Sequence, residues 1–397
     1  MKLAFKNRRM QFLAAGAVVL GLLASPAAGF AGEPAQQQQP KPDQSEKPQQ
    51  QAKEFTKTIK KEFSITPTGT VDLSNKYGKV NVNTWERDRV KIDVTIVVDA
   101  RSESSAQDVF DRIDIDFSND NDYVKAETTI ESTTSWWGGT NNRSEFQVNY
   151  QVFMPESCNL KLSNKYGDSQ VDAISGKANI IVKYGNFELE GVGGELQLYL
   201  GYGNGTVVKA RNVDAEVSYS KLNLNNVQDI DFSTKYSKLY VDKAASVKAA
   251  SKYDQFSLDD IDRFNCESRY GNVEIGTARN VVATARYTDY RIENLTGSGD
   301  FNLEYGGLRI ENLAKNFEDV EMTGKYSNFK LYIEPGAVYS LDGAASYSTI
   351  NYPPAMEVTF EKDRGTSHEV KGNVGGNGGG VIKANLRYGG LKVRRKQ

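Results

Sequence analysis

The sequence is poor in the residues on which most catalytic and metal sites depend. It has one histidine, His368, two cysteines and three tryptophans among 397 residues. The only histidine lies beside a glycine-rich loop, which argues against a histidine-based catalytic triad, and a single histidine cannot form the zinc motif built from paired histidines. The formal net charge is only −2 and combines many charges of both signs, which argues against nucleic acid as a partner. We therefore expect no catalytic residue, no metal site and no cofactor.

Long apolar runs are also scarce, and the clearest one, Phe12 to Leu23, lies near the amino terminus behind four basic residues. Small residues at Gly29 and Ala31 follow it, so residues 1–31 are typical of a secretory signal peptide cleaved after Ala31. The run is shorter than the roughly 20 residues that span a bilayer, and no cysteine follows it for lipid attachment. We expect an exported protein, in the periplasm, at the cell surface or secreted, with no transmembrane segment in the mature chain.

Large apolar residues are almost absent from the stretch that follows, which is rich in glutamine, proline and lysine. Such a composition cannot bury enough surface to offset the entropy of ordering the chain. The sequence predicts a disordered linker over residues 32–55.

A tyrosine repeat dominates the remainder of the chain. The pentapeptide SNKYG occurs at Ser74–Gly78 and again at Ser163–Gly167. From Tyr166 the marker tyrosine recurs at steps of 17 or 18, at Tyr166, Tyr184, Tyr202, Tyr219, Tyr236, Tyr253, Tyr270, Tyr287 and Tyr305. Tyr326 and Tyr347 follow at steps of 21, and Tyr388, 41 further on, fits two repeats if one has lost its marker. Self-similarity at a fixed period indicates a stacked repeat architecture.

Apolar residues alternate on both sides of each tyrosine, for example Ile230 and Phe232 before Tyr236, and Leu239 and Val241 after it. A period of two marks a half-buried strand, so each repeat predicts strand, corner, strand, corner. A helical crossover does not fit into so short a repeat. The fold predicted is an all-β, single-chain parallel β-helix of about 17–21 residues per coil, and the preference for right-handed crossovers favours the right-handed form.

The alternation, continued through the corner, points the tyrosines inward with the apolar residues and predicts a buried aromatic ladder. The following residue is Gly in seven of thirteen motifs, as expected of a corner. Cys158 and Cys266 lie six coils apart, roughly 29 Å at the strand spacing, too far for a disulfide. Both are interpreted as small buried apolar residues.

The residue before each tyrosine then points to solvent. It is basic in nine motifs, at Lys76, Lys165, Lys183, Lys235, Lys252, Arg269, Arg286, Lys325 and Arg387. Like charges stacked across strands are mildly destabilising, so this column suggests a strip that binds an acidic polysaccharide or lipopolysaccharide, with Lys165, Lys183, Lys235, Lys252, Arg269 and Arg286 as candidate ligands. The alternative is ordinary corner residues offset by acidic neighbours such as Glu267 and Glu304.

The region before the regular repeats differs from them. Residues 56–157 predict an N-terminal cap and first coils of β-structure, with one short helix over Ser102–Ile113. Trp136 and Trp137 in a glycine-rich hairpin are either packed into this cap or exposed for stacking on carbohydrate. Residues 158–397 predict the β-helix proper, ending in a glycine-rich loop and a last coil.

Two stretches carry a family resemblance, VDLSNKYGKVNVNTWERDRVKI near the start and GNGGGVIKANLRYGGLKV at the end. With the tyrosine coils between them, they resemble the putative adhesin family of β-helical surface or exported bacterial proteins, frequent among Bacteroidetes. The resemblance spans roughly residue 60 to the end and implies the fold and an adhesive role, but no binding residue.

Three functions remain open at this stage. The first is a non-catalytic adhesin-like module whose partner is a glycan, an envelope polymer or a cell-surface protein. The second is a polysaccharide lyase or hydrolase, since β-helices host such enzymes, although coils this short leave little chain to build a cleft. The third is a purely structural role in the envelope.

Overall fold

The computed structural model describes residues 52–131 and 145–397. Over these residues the protein is all-β, with twenty-four strands in one hydrogen-bonded sheet and a single helix, which confirms the predicted class. The predicted signal peptide with its Ala31 cleavage site, the linker up to residue 51 and the Trp136–Trp137 pair lie outside the described residues. Strand β1 begins at Lys53, within the last part of the predicted linker. None of the described helical structure is long and apolar enough to cross a membrane.

The N-terminal region is an irregular sheet with one helix. Its elements are β1 (Lys53–Ser64), β2 (Thr70–Lys76), β3 (Val80–Trp85), β4 (Arg89–Ala100), α1 (Glu103–Phe110), β5 (Ile113–Asn119), β6 (Tyr123–Ile130) and β7 (Glu145–Pro155). Strands β1, β4 and β7 pair antiparallel, and β5 pairs antiparallel with β6. The helix predicted over Ser102–Ile113 is confirmed, since the Ser102 hydroxyl caps it by accepting a hydrogen bond from the Ser105 N–H at 3.2 Å.

The central region is a regular stack of parallel strands. They are β8 (Asn159–Lys165), β9 (Ser169–Val171), β10 (Ala178–Lys183), β11 (Phe187–Gly201), β12 (Asn204–Ser218), β13 (Lys221–Lys235), β14 (Lys238–Lys252), β15 (Gln255–Glu304) and β16 (Gly307–Leu313). Each stretch pairs in parallel with the stretch one repeat later: Ile180 opposes Leu198, and Val213 opposes Ile230. The sequence offsets of these two pairs, 18 and 17, are those of the tyrosine markers.

The first tyrosine motif joins this stack although Tyr77 lies far from Tyr166 in the sequence. Strand β2 pairs in parallel with β8, and β3 pairs in parallel with β9. Strands β4 to β7 and the helix α1 are therefore an excursion between two neighbouring levels of the sheet. The excursion covers the end of the stack, because β2 also pairs with β6 on its other side.

The C-terminal region breaks the sequential order. Its strands are β17 (Asp319–Lys325), β18 (Asn328–Ile333), β19 (Tyr339–Ser346), β20 (Ile350–Asn351), β21 (Glu357–Asp363), β22 (Ser367–Val374), β23 (Gly380–Arg387) and β24 (Leu391–Arg395). Strand β23 lies between β17 and β19, parallel to both, and β24 likewise pairs with β18 and β20. The expectation that the repeat of Tyr388 is the last is therefore wrong. The hairpin of β21 and β22 turns the chain back, with β22 antiparallel to β19.

The core is the continuous inward face of these strands. It is built from small and medium apolar residues with occasional aromatic rings, of which Phe232, Phe264 and Phe301 are fully buried. Cys158 and Cys266 are free and buried within it, as predicted, and burial raises the pKa of each thiol to about 11. The alternation read from the sequence thus assigns the inward residues of the strands correctly.

Candidate functional site

Thirteen tyrosines form one continuous column, here called the tyrosine edge. Its members, in spatial order, are Tyr77, Tyr166, Tyr184, Tyr202, Tyr219, Tyr236, Tyr253, Tyr270, Tyr287, Tyr305, Tyr326, Tyr388 and Tyr347. Successive ring centroids lie 4.7–5.1 Å apart with the planes within 15° of parallel. Every member has a left-handed backbone, with φ between 52° and 63°.

The column lies on the outside of the sheet, so the prediction of inward tyrosines is wrong. The side chains are 36–57% exposed. The alternation assumed for the prediction holds only while the backbone is extended, and a residue at positive φ turns the chain and shifts the alternation by one. The tyrosine therefore faces solvent, and the residue after it faces inward.

The residue after the tyrosine is small because the backbone of the neighbouring repeat is close. A Cβ atom at Gly167 would lie 1.8 Å from the carbonyl oxygen of Gly78, and one at Gly185 would lie 2.0 Å from that of Gly167. The expectation that glycine serves here for its conformational freedom is thus also wrong. The positive φ belongs to the tyrosine, and glycine permits the close approach.

Elsewhere this inward position carries a polar side chain that bonds to the neighbouring repeat. The Ser220 N–H donates to the Ser237 hydroxyl at 3.3 Å, and the Ser237 N–H donates to the Asp254 carboxylate at 2.7 Å. Asp254 is 1% exposed and accepts three further hydrogen bonds, from the hydroxyls of Thr234 and Ser251 and from the Lys252 N–H. Burial raises the pKa of Asp254 above its ordinary value, and these hydrogen bonds oppose the shift.

The stacking decides what the tyrosine edge can offer a ligand. Each ring covers the faces of its neighbours, so solvent meets the ring edges and the hydroxyl groups. A sugar ring packs on an aromatic face, and such faces are not available along the column. The edge is instead a row of phenol hydroxyls repeating at the strand spacing of about 4.8 Å.

The basic residues predicted as an anion-binding strip do lie together, beside the tyrosine edge. Lys76 opposes Lys165, Lys165 opposes Lys183, Lys235 opposes Lys252, and Lys252 opposes Arg269 in the register of the sheet. Gly201 and Ser218 interrupt the column between Lys183 and Lys235. We call Lys76, Lys165, Lys183, Lys235, Lys252, Arg269, Arg286, Lys325 and Arg387 the basic column.

Acidic neighbours offset only part of the basic column. Glu304 pairs with Arg286 and, at 3.3 Å, with Lys325, and these partners hold the pKa of Glu304 below its ordinary value. Glu267 forms no ion pair with Lys252 or Arg269 in the part of the chain that the structure describes. Among these described residues, the charges of Lys235, Lys252 and Arg269 are therefore uncompensated by ion pairs.

Several ammonium groups of the basic column contact the tyrosine rings instead. Lys165 Nζ lies 4.8 Å from the ring centroid of Tyr166 and 5.9 Å from that of Tyr184. Lys252 Nζ lies 5.6 Å from the centroid of Tyr253. Cation–π attraction at exposed sites contributes about 0.5–1 kcal/mol, so the rings draw the cations towards the row of hydroxyls.

A second surface was not foreseen from the sequence. A groove of about 890 Å³ crosses the repeats about seven to nine positions after each tyrosine, from the repeat of Tyr166 to that of Tyr287. Its floor is the buried residue eight positions after each tyrosine, such as Ala210, Val227 and Ala244, and the exposed residues on either side form its walls. The corresponding sequence signal is a polar residue at both the seventh and the ninth position after the tyrosine, which occurs in these repeats after Tyr202, Tyr219, Tyr253, Tyr270 and Tyr287.

No protein-family model and no curated protein matches the sequence. Solved structures do match it. A putative cell adhesion protein from Clostridium sporogenes is 10% identical with a TM-score of 0.20, over 86% of this chain and 100% of that one. A putative adhesin from Parabacteroides merdae is 12% identical with a TM-score of 0.31, over 64% and 94%. A putative lipid binding protein from Parabacteroides distasonis is 13% identical with a TM-score of 0.28, over 64% and 94%. Adhesion is named in the first two, in agreement with the resemblance drawn from the sequence.

Proposed function

We propose that the chain is a parallel, right-handed β-helix in which each tyrosine repeat is one coil. The support is the constant offset of the pairing: the parallel partner of each strand residue lies 17 or 18 positions further along the chain through most of the central region. A continuous inward face that recurs once in each repeat fits a solenoid whose levels bury one another. The residues before Tyr77 and the excursion between Tyr77 and Tyr166 act as its cap.

The function proposed is that of a non-catalytic, exported, adhesin-like protein that binds a polymer of the cell envelope or a cell surface through its repetitive face. The observation that carries it is the basic column: its residues Lys235, Lys252 and Arg269 are exposed, lie at directly opposed positions and have no ion-pair partner among the described residues. Stacked like charges destabilise a sheet, and a polyanion lying along the column would relieve that repulsion at every level it touches. The row of tyrosine hydroxyls beside the column offers hydrogen bonds at the same spacing.

The test is binding to an array of bacterial and host glycans, including lipopolysaccharides, by the protein and by a variant with Lys183, Lys235, Lys252 and Arg269 changed to Ser. The variant should lose binding to anionic polymers at physiological salt, because charged contacts are the main attraction. In the unmodified protein, binding should weaken as salt rises.

The matched control changes four exposed lysines of β1, at Lys53, Lys57, Lys60 and Lys61, to Ser. It alters the net charge equally but leaves the basic column intact, so it should bind as the unmodified protein does. If the column variant binds as well as the control, the basic column is not the binding surface. If the unmodified protein binds no polymer of the array, the adhesive role itself is wrong.

A further inference from the structure

The groove is suited to an extended ligand because it runs across the repeats rather than into the core. It follows eight consecutive levels from the repeat of Tyr166 to that of Tyr287, which at about 4.8 Å per level is roughly 34 Å. At one end, Gly191 and Gly193 leave the walls low. The floor is formed by buried aliphatic side chains of modest size, so a chain molecule can lie close to the backbone along its length.

Four side chains at the middle of the groove have hydrogen-bonding capacity that the protein does not use. Lys209 and Arg211 lie on either side of the floor residue Ala210, and Asn226 and Gln228 lie one level further, on either side of Val227. Lys209 directly opposes Asn226 in the sheet. All four are exposed. Within residues 52–131 and 145–397, none of them makes a side-chain hydrogen bond or an ion pair.

Other polar side chains of the same sheet are paired with one another. Lys243, the next cation of the groove, binds Asp260 at 3.1 Å. Beside the tyrosine edge, the Asn204 amide donates to the Asn186 side chain at 2.7 Å, and that of Asn186 donates to the Asp168 carboxylate at 3.0 Å. The basic column also has cations without ion-pair partners, but the groove combines two such cations with two amides that make no side-chain hydrogen bond among the described residues.

Carboxylates lie in the groove on both sides of this set. Glu190 is in the preceding repeat, and Asp260 and Asp262 are three repeats beyond Lys209, roughly 14 Å away at the strand spacing. An anionic group between Lys209 and Arg211 is attracted, whereas an anionic group one level before or three levels after faces carboxylates and is repelled. The groove therefore favours a ligand whose negative charges are spaced apart.

We propose that the groove binds a linear polysaccharide in which carboxylate-bearing sugars alternate with uncharged, amide-bearing sugars. The carboxylate accepts hydrogen bonds from Lys209 and Arg211, which bind such groups by charge and by the planar geometry of the guanidinium. Asn226 and Gln228 pair with hydroxyl and amide groups of the next sugar. This inference rests on the proposed binding role and names a second site and a ligand class for it.

The test is calorimetric titration of the protein with three hexamers: a hyaluronan hexasaccharide with alternating carboxylates, a galacturonic acid hexamer charged at every sugar, and uncharged chitohexaose. The hyaluronan fragment should bind most tightly. Changing Lys209 and Arg211 together to Ala should weaken its binding by about tenfold or more, because the variant loses both charged hydrogen-bond donors to the carboxylate.

The matched control is the double change of Lys57 and Lys60 to Ala, which removes two positive charges from exposed positions of β1 that belong to neither the groove nor the basic column. It should leave binding of the hyaluronan hexamer unchanged. Equal loss in both double variants, equal binding of all three hexamers, or no binding of any hexamer overturns the groove as this site. If the basic-column variant binds the array as well as the unmodified protein does, while the hexamer still binds in the groove, only the basic column is removed as a binding surface.

Discussion

At the scale of the residue, the tyrosine is the unusual choice, because the left-handed region is costly for a residue with a Cβ atom. The cost is roughly 1–2 kcal/mol per residue, and it recurs at thirteen positions. Two terms offset it. The tyrosine N–H continues the hydrogen-bond ladder, as when that of Tyr236 donates to the Lys252 carbonyl at 3.0 Å, and each ring stacks on its neighbours. Glycine would avoid the strain but would leave the edge without rings.

This balance predicts that glycine is tolerated better than alanine at Tyr236, which is the reverse of the order expected in an extended strand. Both Tyr236→Ala and Tyr236→Gly lose two stacking contacts, each contributing about 0.5–1.5 kcal/mol. Alanine keeps the strain of positive φ and glycine does not, so the Ala variant should be less stable than the Gly variant by about 1 kcal/mol. Urea unfolding followed by circular dichroism measures the difference.

The control is Tyr240, which lies within strand β14. In an extended strand glycine is the worse residue by roughly 0.5–1 kcal/mol, so Tyr240→Gly should be less stable than Tyr240→Ala. The same order at both positions would show that the corner at Tyr236 is not left-handed in solution.

The pattern of residues predicts which strand side chains face inward, but it does not predict the backbone conformation at the tyrosine corner. The alternation predicts correctly that Ile230 and Phe232 face inward, because both lie in extended backbone, where side chains alternate. The same rule predicts that Tyr236, shortly after them in the chain, faces inward, and it lies outside. Alternation does not predict the φ angle of the residue at which it ends. The glycine beside the tyrosine suggests that the glycine has the positive φ angle, whereas the tyrosine has it.

At the scale of the element, the C-terminal strands β23 and β24 are unusual because they lie between repeats that precede them in the chain. They bury Ile382, Leu386, Leu391 and Val393. The loop that leads to them, between β22 and β23, has positive φ at Gly375, Gly376, Gly378 and Gly379, conformations that other residues rarely adopt. The chain needs this loop to return to a level it has already passed.

Removing Gly380–Gln397 should therefore destabilise the protein far more than removal of a terminal edge strand. The deletion leaves the strands on both sides of the gap unpaired and removes four large apolar side chains from the core, each contributing about 1.5–3 kcal/mol when fully buried. A peptide of residues 380–397 added in trans should restore the melting temperature in a concentration-dependent manner. Differential scanning calorimetry measures both effects.

The control peptide carries Ile382→Asp and Leu391→Asp, which place charges in the core and should abolish the rescue. A truncated protein that melts at the same temperature as the full chain would contradict the position of these strands.

The period of the repeat could not reveal the insertion of β23 and β24 between earlier strands, because a marker spacing of 41 is compatible with the next level or with a return to an earlier one.

At the scale of the whole molecule, the repeat makes the central region tolerant of changes by whole periods. Deleting one full period, from Lys238 to Asp254, places Gln255 after Ser237, and Gln255 is the residue that opposes Lys238 in the sheet. The flanking strands then pair as before with one level fewer, so the deletion should fold with a strand-rich circular dichroism spectrum.

Deleting only about half a period, from Lys238 to Ala245, should instead unfold the central region, because inward residues would be placed where corners belong. The two deletions are compared by circular dichroism and by resistance to proteolysis. If both deletion variants fold or both fail to fold, the repeats are not equivalent levels.

The groove, unlike the levels themselves, could not be predicted from the period, since the concavity of the surface depends on how the backbone bends within each repeat.

The position of β23 has a consequence for how the protein is made. Domains generally begin to fold from the N-terminus while the chain is still being synthesised, and most of this sheet can be extended that way, one level after another. The level marked by Tyr347 is an exception, since its parallel neighbour β23 comes later in the chain, after the hairpin of β21 and β22. Its strand has to wait with one side open until β23 has been synthesised, so β23 closes a gap inside the sheet rather than adding an edge.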